Sequence, residues 1–354
     1  MTKIIYLAPN KATFVKKDLK FLQERYQVIY AEHDWRNKST VPLRFLQQSI
    51  FLFQHLWSAD IVMIMFAGYW SLLPAFFGRV FGKRVHIILG GTEAVSYPAF
   101  KYGSLRKPLW SWFIKNSYRL AHHIIPVHES LAYYHDTYYD NSYQGYQHFF
   151  PEVKAPCTTI YNGYEAGKFQ IDLSCKVSDT FICIAYVPNE MNFLRKGIDL
   201  LFVLAEEYPD AKFRIIGFHE NYKKLRDDIP KNVECLPPLE QEQFFKLLIE
   251  SEYCLQLSIS EGFPNGICEA MLSGCIPIGS AANGIPLIIG DTGLVLEHYS
   301  KDLLLKEFSK IYLKSPEEKK SLGKTARQRI VENFPLSRRA NEFYDLIDRD
   351  SKQN

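Results

Sequence analysis

The 354-residue sequence has no cysteine before position 157, and no Cys-x-x-Cys pair among the seven that follow. That excludes the usual zinc-ribbon and dithiol redox patterns, and an odd set of unframed thiols fits a reducing cytosol. An export signal is missing as well: MTKIIYLAPNK turns polar after about five apolar residues, against the ~7–15 of a signal peptide. Net charge is scarce at +3, yet it is unevenly spread. Residues 1–150 carry 17 Lys and Arg against 9 Asp and Glu, and the remainder 25 against 30, so the front is basic and the back mildly acidic. One stretch, residues 61–78, is uncharged for about the length that spans a bilayer. Its β-rich IVMIMF, the Ala67-Gly68 break and Pro74 predict instead a buried parallel strand turning into a helix.

Short apolar runs alternate with amphipathic segments, from KIIYLAP and QVIYAEH through DIVMIMF and RVHIILGG to IIPVH. The rhythm restarts after about residue 177 with TFICIAYV, KFRIIGF, VECLPP, YCLQLS and CIPIGS. This predicts two doubly wound α/β domains in tandem, whose ligands bind at the C-terminal strand ends in the cleft between them. Familiar phosphate motifs are absent. No Gly-x-Gly-x-x-Gly occurs, and Gly78 to Arg84 has the wrong spacing and no Ser or Thr for a P-loop. Asp348 and Asp350 have carboxylate-pair spacing but sit in a polar C-terminal tail with no strand before them, so no metal site is expected.

Chemistry concentrates in residues 253–280, YCLQLSISEGFPNGICEAMLSGCIPIGS. A strand, a loop with Gly262, Pro264 and Gly266, and a short helix stopped by Gly274 would aim Glu261 and Glu269 at one cleft. The free N–H groups and positive dipole end of that helix suit a diphosphate. Lys196, read at a helix start, is disfavoured there by the dipole, which makes a bound anion attractive.

Glu261-Gly-Phe-Pro-Asn-Gly-Ile-Cys-Glu269 followed by Gly274-Cys-Ile-Pro277 resembles the Glu, seven residues, Glu signature of retaining GT-B glycosyltransferases, family 4 (group 1). Asn162-Gly163, Arg195-Lys196-Gly197 and Arg214-Ile-Ile-Gly217 resemble further segments of that family, in the same order. The resemblance implies a GT-B fold of two Rossmann-like domains facing a cleft: an acceptor domain over 1–163, a donor domain over 164–335, and a last helix over 336–354 crossing back. It implies that Glu269 holds a nucleotide ribose and Glu261 the donor sugar. Gly262, Phe263, Pro264, Asn265, Gly266 and Ile267 would line sugar and phosphate, near Gly217. Lys196 and Arg195 would neutralise the departing diphosphate. On the acceptor side it points to Gly90, Gly91, Glu93 and His128.

The implied activity is retaining, metal-independent transfer of a hexose-type sugar from a UDP- or GDP-linked donor to a glycan or lipid-linked acceptor in surface polysaccharide synthesis, with no cofactor. The alternatives are a nucleotide-sugar epimerase and a binding subunit without turnover. The sequence departs from the family pattern in four places: Ala185-Tyr186 replaces a phosphate-binding Arg, Gly90 a His, Pro9 to Ala12 a glycine-rich loop, and Leu287 a Glu. Basic and aromatic residues interleave over Phe14 to Leu22, Phe76 to Arg84 and Lys101 to Lys115. That composition suits peripheral contact with an anionic membrane at the cytoplasmic face, and no nucleic-acid motif accompanies it.

Overall fold

A computed structural model describes residues 1–35, 37–169 and 171–351; residues 352–354 of the expected last helix lie outside them. The chain divides into two compact units. The first contains Met1–Tyr134, Tyr143–Tyr161 and Ser337–Asn354, and the second His135–Ser142 and Asn162–Leu336.

The first unit is built on β1 (Lys3–Leu7), β2 (Gln27–Ala31), β3 (Ile61–Met65), β4 (Arg84–Leu89) and β5 (His123–Pro126), with helices α1 (Thr13–Arg25), α2 (Val41–His55), α3 (Tyr69–Val80) and α4 (Pro108–Leu120) between them. The strands form one parallel sheet in the order β2-β1-β3-β4-β5. Every residue of β3 is buried, as its unbroken apolar run requires when both faces are covered. The uncharged 61–78 stretch is thus strand, turn and helix, and no helix among the described residues is long and apolar enough to cross a membrane. The step from β1 to β2 runs one way across the sheet and the later steps run the other. Right-handed crossovers therefore put α1 on one face and α2, α3 and α4 on the opposite one.

The short strands β6 (Tyr134–His135) and β7 (Tyr143–Gln144) flank the 135–142 excursion, and α5 (Tyr146–Phe149) follows. The second unit begins with β8 (Val177–Val187), α6 (Glu190–Arg195), α7 (Ile198–Glu207), β9 (Lys212–Phe218), α8 (Glu220–Lys223) and β10 (Val233–Leu236). It continues through α9 (Gln241–Glu250), β11 (Ser251–Gln256), α10 (Asn265–Leu272), β12 (Ile276–Ser280), α11 (Ile285–Ile289) and β13 (Leu294–Leu296). Then come α12 (Lys301–Tyr312) and α13 (Pro316–Asn333). Its parallel sheet has the order β10-β9-β8-β11-β12-β13. Phe181 on β8 stacks between Phe213 of β9 and Tyr253 of β11, with ring centroids 4.3 and 4.7 Å away, pinning three strands in register. Strand order reverses between β8 and β11, so the loops after those strands splay apart and leave a crevice.

The last helix, α14 (Leu336–Ser351), covers α1 within the first unit. Arg339 forks onto Asp18 with Nε–Oδ1 2.8 Å and Nη2–Oδ2 2.9 Å, and Nη1 donates to the carbonyls of Ile160 and Tyr161, both at 3.1 Å. Tyr6 Oη donates to the same carboxylate at 3.2 Å. The 348–350 segment is thus helix rather than polar tail. Asp348 pairs with Arg25 and accepts from Tyr26 Oη at 2.7 Å, while Asp350 lies 2.7 Å from His86 Nε2. Both carboxylates have structural partners.

Arg339 and Asp18 are 3% and 1% exposed, so removing one partner strands the other out of water. Arg339→Met should lower the unfolding free energy of the first unit by about 3–5 kcal/mol, and Asp18→Leu combined with Arg339→Met by clearly less. All five tryptophans lie at or before Trp112, so denaturation followed by tryptophan fluorescence reports this unit alone.

Candidate functional site

The crevice of the second unit is where chemistry gathers. After β8, Asn189 caps α6 by accepting the Asn192 N–H at 3.0 Å, and α6 delivers Arg195 and Lys196 in consecutive positions. Lys196 is the C-cap of α6 and also the residue before Gly197, the N-cap of α7, so the negative end of one short helix and the positive end of the next both lie beside its charge. Gly197 then turns the chain into α7 with φ 65°. A Cβ there would collide with the Leu257 carbonyl oxygen, so the Arg-Lys-Gly turn lies directly against the end of β11. The Ile259 N–H donates to the Arg195 carbonyl at 2.8 Å, locking turn and loop together.

The loop after β11 brings Glu261 onto these cations. Lys196 Nζ pairs with Glu261 Oε1, and Arg195 Nη1 reaches the same oxygen at 3.3 Å and the Ser260 carbonyl at 3.1 Å. Burial pushes the Glu261 carboxyl pKa up, but the neighbouring Lys196 and Arg195 more than offset it, and the group is held below the ordinary glutamate range. Arg195 is 7% exposed, so its guanidinium holds the loop from beneath, whereas the ion pair of Lys196 meets the carboxylate directly. Asn283, at φ 49°, accepts the Glu261 backbone N–H through Oδ1 at 3.0 Å. Its buried Nδ2 has no partner among the described residues. The segments that carry the family resemblance do not include Asn283; its signal in the sequence is the αL-tolerant Asn-Gly pair at 283–284.

Helix α10 starts after Pro264, a cap with no side-chain hydrogen bond. Ile267, Cys268, Ala270, Met271 and Leu272 are buried, which leaves Asn265, Gly266 and Glu269 on the partly exposed face. Gly266 is required because a Cβ would sit 2.9 Å from that of Ile184 on β8. Phe263 and Pro264 are buried, and the Phe263 ring meets Phe334 at 5.1 Å. Pro264 has no N–H to offer a phosphate, so its part is to shape the cap. Gly217, at φ 101° on β9, lies where a Cβ would come 2.6 Å from the Ala185 carbonyl. The Asn162 segment docks on this loop. Asn162 Nδ2 donates to the Phe263 carbonyl at 3.3 Å, and Tyr164 Oη to Asn265 Oδ1 at 2.7 Å. Leu287, where the family pattern has Glu, gives its carbonyl to Arg329 Nη2 at 2.7 Å.

In the first unit the C-terminal strand edge collects Gly90, Gly91, Glu93 and His128, the residues expected on the acceptor side. Glu93 folds back so that Oε1 accepts the Gly90 N–H at 2.7 Å and Oε2 the Gly91 N–H at 3.2 Å. It is 2% exposed, and burial, only partly opposed by these N–H groups, pushes its carboxyl up to about 7. His128 follows β5, which pairs with β4 at Leu89 and Pro126. Its Nδ1 accepts the Ser130 N–H at 3.2 Å, so a proton on the neutral ring resides on Nε2, which faces Glu129 Oε1 at 3.3 Å. Burial lowers the His128 pKa.

Residues 192–329, which include the whole Lys196, Glu261 and Glu269 constellation, match the family described as glycosyl transferases group 1. Trehalose synthase of Pyrococcus horikoshii is 28% identical over 156 residues, which cover 43% of this chain and 36% of that protein. The N-acetyl-alpha-D-glucosaminyl L-malate synthase of Bacillus anthracis is 31% identical over 119 residues, 32% of this chain and 31% of its own length. The chain thus spans about a third of the length of these relatives. Solved structures extend the likeness to the whole chain. Sucrose-phosphate synthase from Thermosynechococcus elongatus superposes with a TM-score of 0.75 at 14% identity, covering 100% of both chains. The Anabaena protein HepE in complex with UDP-glucose superposes with a TM-score of 0.69 at 13% identity over 98% of this chain and 100% of that one. The fold is GT-B, the architecture of these structural neighbours.

Glu93 titrates near neutrality when folded and near the ordinary glutamate value when unfolded, so the folded state binds the extra proton between the two. Wild-type stability should fall relative to Glu93→Gln as pH rises from about 5 to about 8. Urea denaturation of both proteins across that range measures the slope; a difference that stays flat would show that the group is not shifted.

Proposed function

We propose that the chain is a retaining, metal-independent glycosyltransferase that moves a hexose-type sugar from a UDP- or GDP-linked donor to a glycan or lipid-linked acceptor. The observation that carries the reading is the Glu261 carboxylate paired with Lys196 on one side of a crevice, with the α10 N-terminus and Glu269 on the same strand-loop-helix unit. Relatives named for the synthesis of trehalose and of an N-acetylglucosaminyl malate, and a fold neighbour holding UDP-glucose, support a nucleotide-sugar donor.

In this reading the bond between the anomeric carbon and the diphosphate oxygen breaks, and both electrons leave with the nucleoside diphosphate. Lys196 and the N–H groups at the start of α10 stabilise the charge gathered there, a role for which preorganised donors need no metal. Glu261 holds donor sugar hydroxyls, and Arg195 and Asn283 fix its position. Glu269 accepts from the ribose. The acceptor hydroxyl attacks on the face the diphosphate leaves and passes its proton to a departing phosphate oxygen, so configuration is retained and nucleoside diphosphate is the second product. Gly90, Gly91, Glu93 and His128 shape the acceptor side. The setting is surface polysaccharide or glycoconjugate synthesis at the cytoplasmic membrane face, reached by peripheral contact.

Purified protein given a panel of nucleotide-sugars should release UDP or GDP only when acceptor is present. Glu261→Ala and Lys196→Ala should each lower that release by about 10²–10³-fold. Glu269→Ala should raise KM for the donor more than it lowers kcat. Nucleotide binding without release from any donor would make the chain a binding subunit, and interconversion of the donor without acceptor would make it an epimerase.

A further inference from the structure

Helix α2 is built inside out. Its buried residues are Gln48 and Leu52, and Gln48 Nε2 donates to the Trp70 carbonyl at 3.0 Å. Its outward face carries Leu43, Leu46, Ile50 and Phe53, which are 51%, 58%, 50% and 72% exposed, and Trp57 just beyond it is 64% exposed. Steps of three and four residues place all five on one stripe along a helix about 22 Å long. A surface helix of a globular protein turns its polar side outward, so this arrangement requires something apolar to cover it.

The stripe does not stand alone. Phe76 and Val80 of α3 and Leu109 and Trp112 of α4 are also exposed, on helices of the same layer. Trp57 packs on Phe81 at 4.7 Å and Tyr69 on Trp110 at 5.1 Å, so the three helices present one continuous face. An apolar groove of about 530 Å³ runs between α2 and α3, lined by Ile50, Leu52, Phe53, Trp57, Phe77 and Phe81. The other face of this sheet carries α1 under α14. The Phe14 to Leu22 segment therefore buries Leu19, Phe21 and Leu22 there and does not contribute to the patch.

Charge identifies the occupant. Residues 39–121 contain nine Lys and Arg and two acidic residues. Asp60 accepts the Lys3 backbone N–H, and Glu93 is buried on the Gly90 loop, so neither carboxylate offsets the cations at the surface. Arg79, Lys101, Arg106, Lys107 and Arg119 are exposed, and Lys115 is paired with Glu152. An apolar stripe rimmed by cations matches the headgroup and acyl boundary of an anionic bilayer, where rings and aliphatic chains enter and ammonium and guanidinium groups stay at the phosphates. We propose that the α2, α3 and α4 face of the first unit is an interfacial docking surface for an anionic lipid bilayer, with the Leu43 to Trp57 stripe as its inserted edge. This localises the membrane contact of the functional reading above, but its test reads lipid binding rather than sugar transfer, so either can fail without the other.

The test is co-sedimentation of the full chain with large unilamellar vesicles, of phosphatidylcholine alone and with about 30% phosphatidylglycerol. Wild type should partition onto the anionic vesicles, less so as salt is raised from ~0.1 to ~0.5 M, and hardly at all onto neutral ones. Ile50→Gln with Phe53→Gln should reduce partition roughly tenfold. A matched control, Leu225→Gln, alters a residue of the second unit that is 81% exposed and should bind as wild type does. Melting curves that overlay wild type verify folding; if the double variant melts early, Leu46→Gln alone is read in its place. Absence of wild-type binding, equal binding to neutral vesicles, or full binding by the folded variant overturns the proposal. So does a concentration-dependent dimer that the double substitution dissolves in a chain that ignores vesicles, which would make the face a contact between copies.

Discussion

A carboxylate nearly withdrawn from water on the loop after β11 has its pKa held low because two cations from a neighbouring turn reach it. Glu261 sits with Lys196 and Arg195, and the balance of burial against these charges decides its ionisation. That balance constrains the backbone around it. The turn carrying both cations must lie against the Leu257 carbonyl, which is why Gly197 follows them, and the Glu261 N–H must find an acceptor, which Asn283 supplies from the loop after β12. Three loops, following β8, β11 and β12, are thereby tied to one oxygen atom and one N–H. The parallel topology puts their starting points side by side because β8, β11 and β12 are adjacent in the sheet.

The same logic produces the Gly90 to Glu93 loop of the first unit by another route. There no cation compensates Glu93, and two backbone N–H groups do the holding. The result is opposite in sign: Glu261 is pushed toward the charged form and Glu93 toward the neutral one. One carboxylate can serve as a fixed acceptor for ligand hydroxyls, while the other responds to pH near neutrality. His128, close by on the neighbouring strand end, is likewise kept from charging by burial.

Much of this is legible in the sequence. Alternating apolar runs and amphipathic segments give two parallel sheets, because a strand buried on both faces must be apolar throughout and its crossover helix must be amphipathic. Glu261, Gly266 and Glu269 are recognisable because the spacing of a strand, tight loop and helix start is local. Asn283 is not, since its value comes from a hydrogen bond across 22 positions to a backbone group. The inverted polarity of α2 is hidden too. VPLRFLQQSIFLFQH reads as an ordinary amphipathic helix, and periodicity does not say which side faces the sheet.

What the sequence determined by itself is therefore what depends on neighbours a few residues apart: element type, the glycine positions, the paired glutamates and the uneven charge of front and back. What only the tertiary structure decided is how charges and faces are matched over long separations. Lys196 and Arg195 meet Glu261 across 65 and 66 positions, Arg339 meets Asp18 across 321, and α2 turns Gln48 inward and Phe53 outward. The physical reason is that burial sets the worth of a charge or an apolar face, and burial is a property of the packed chain rather than of any segment.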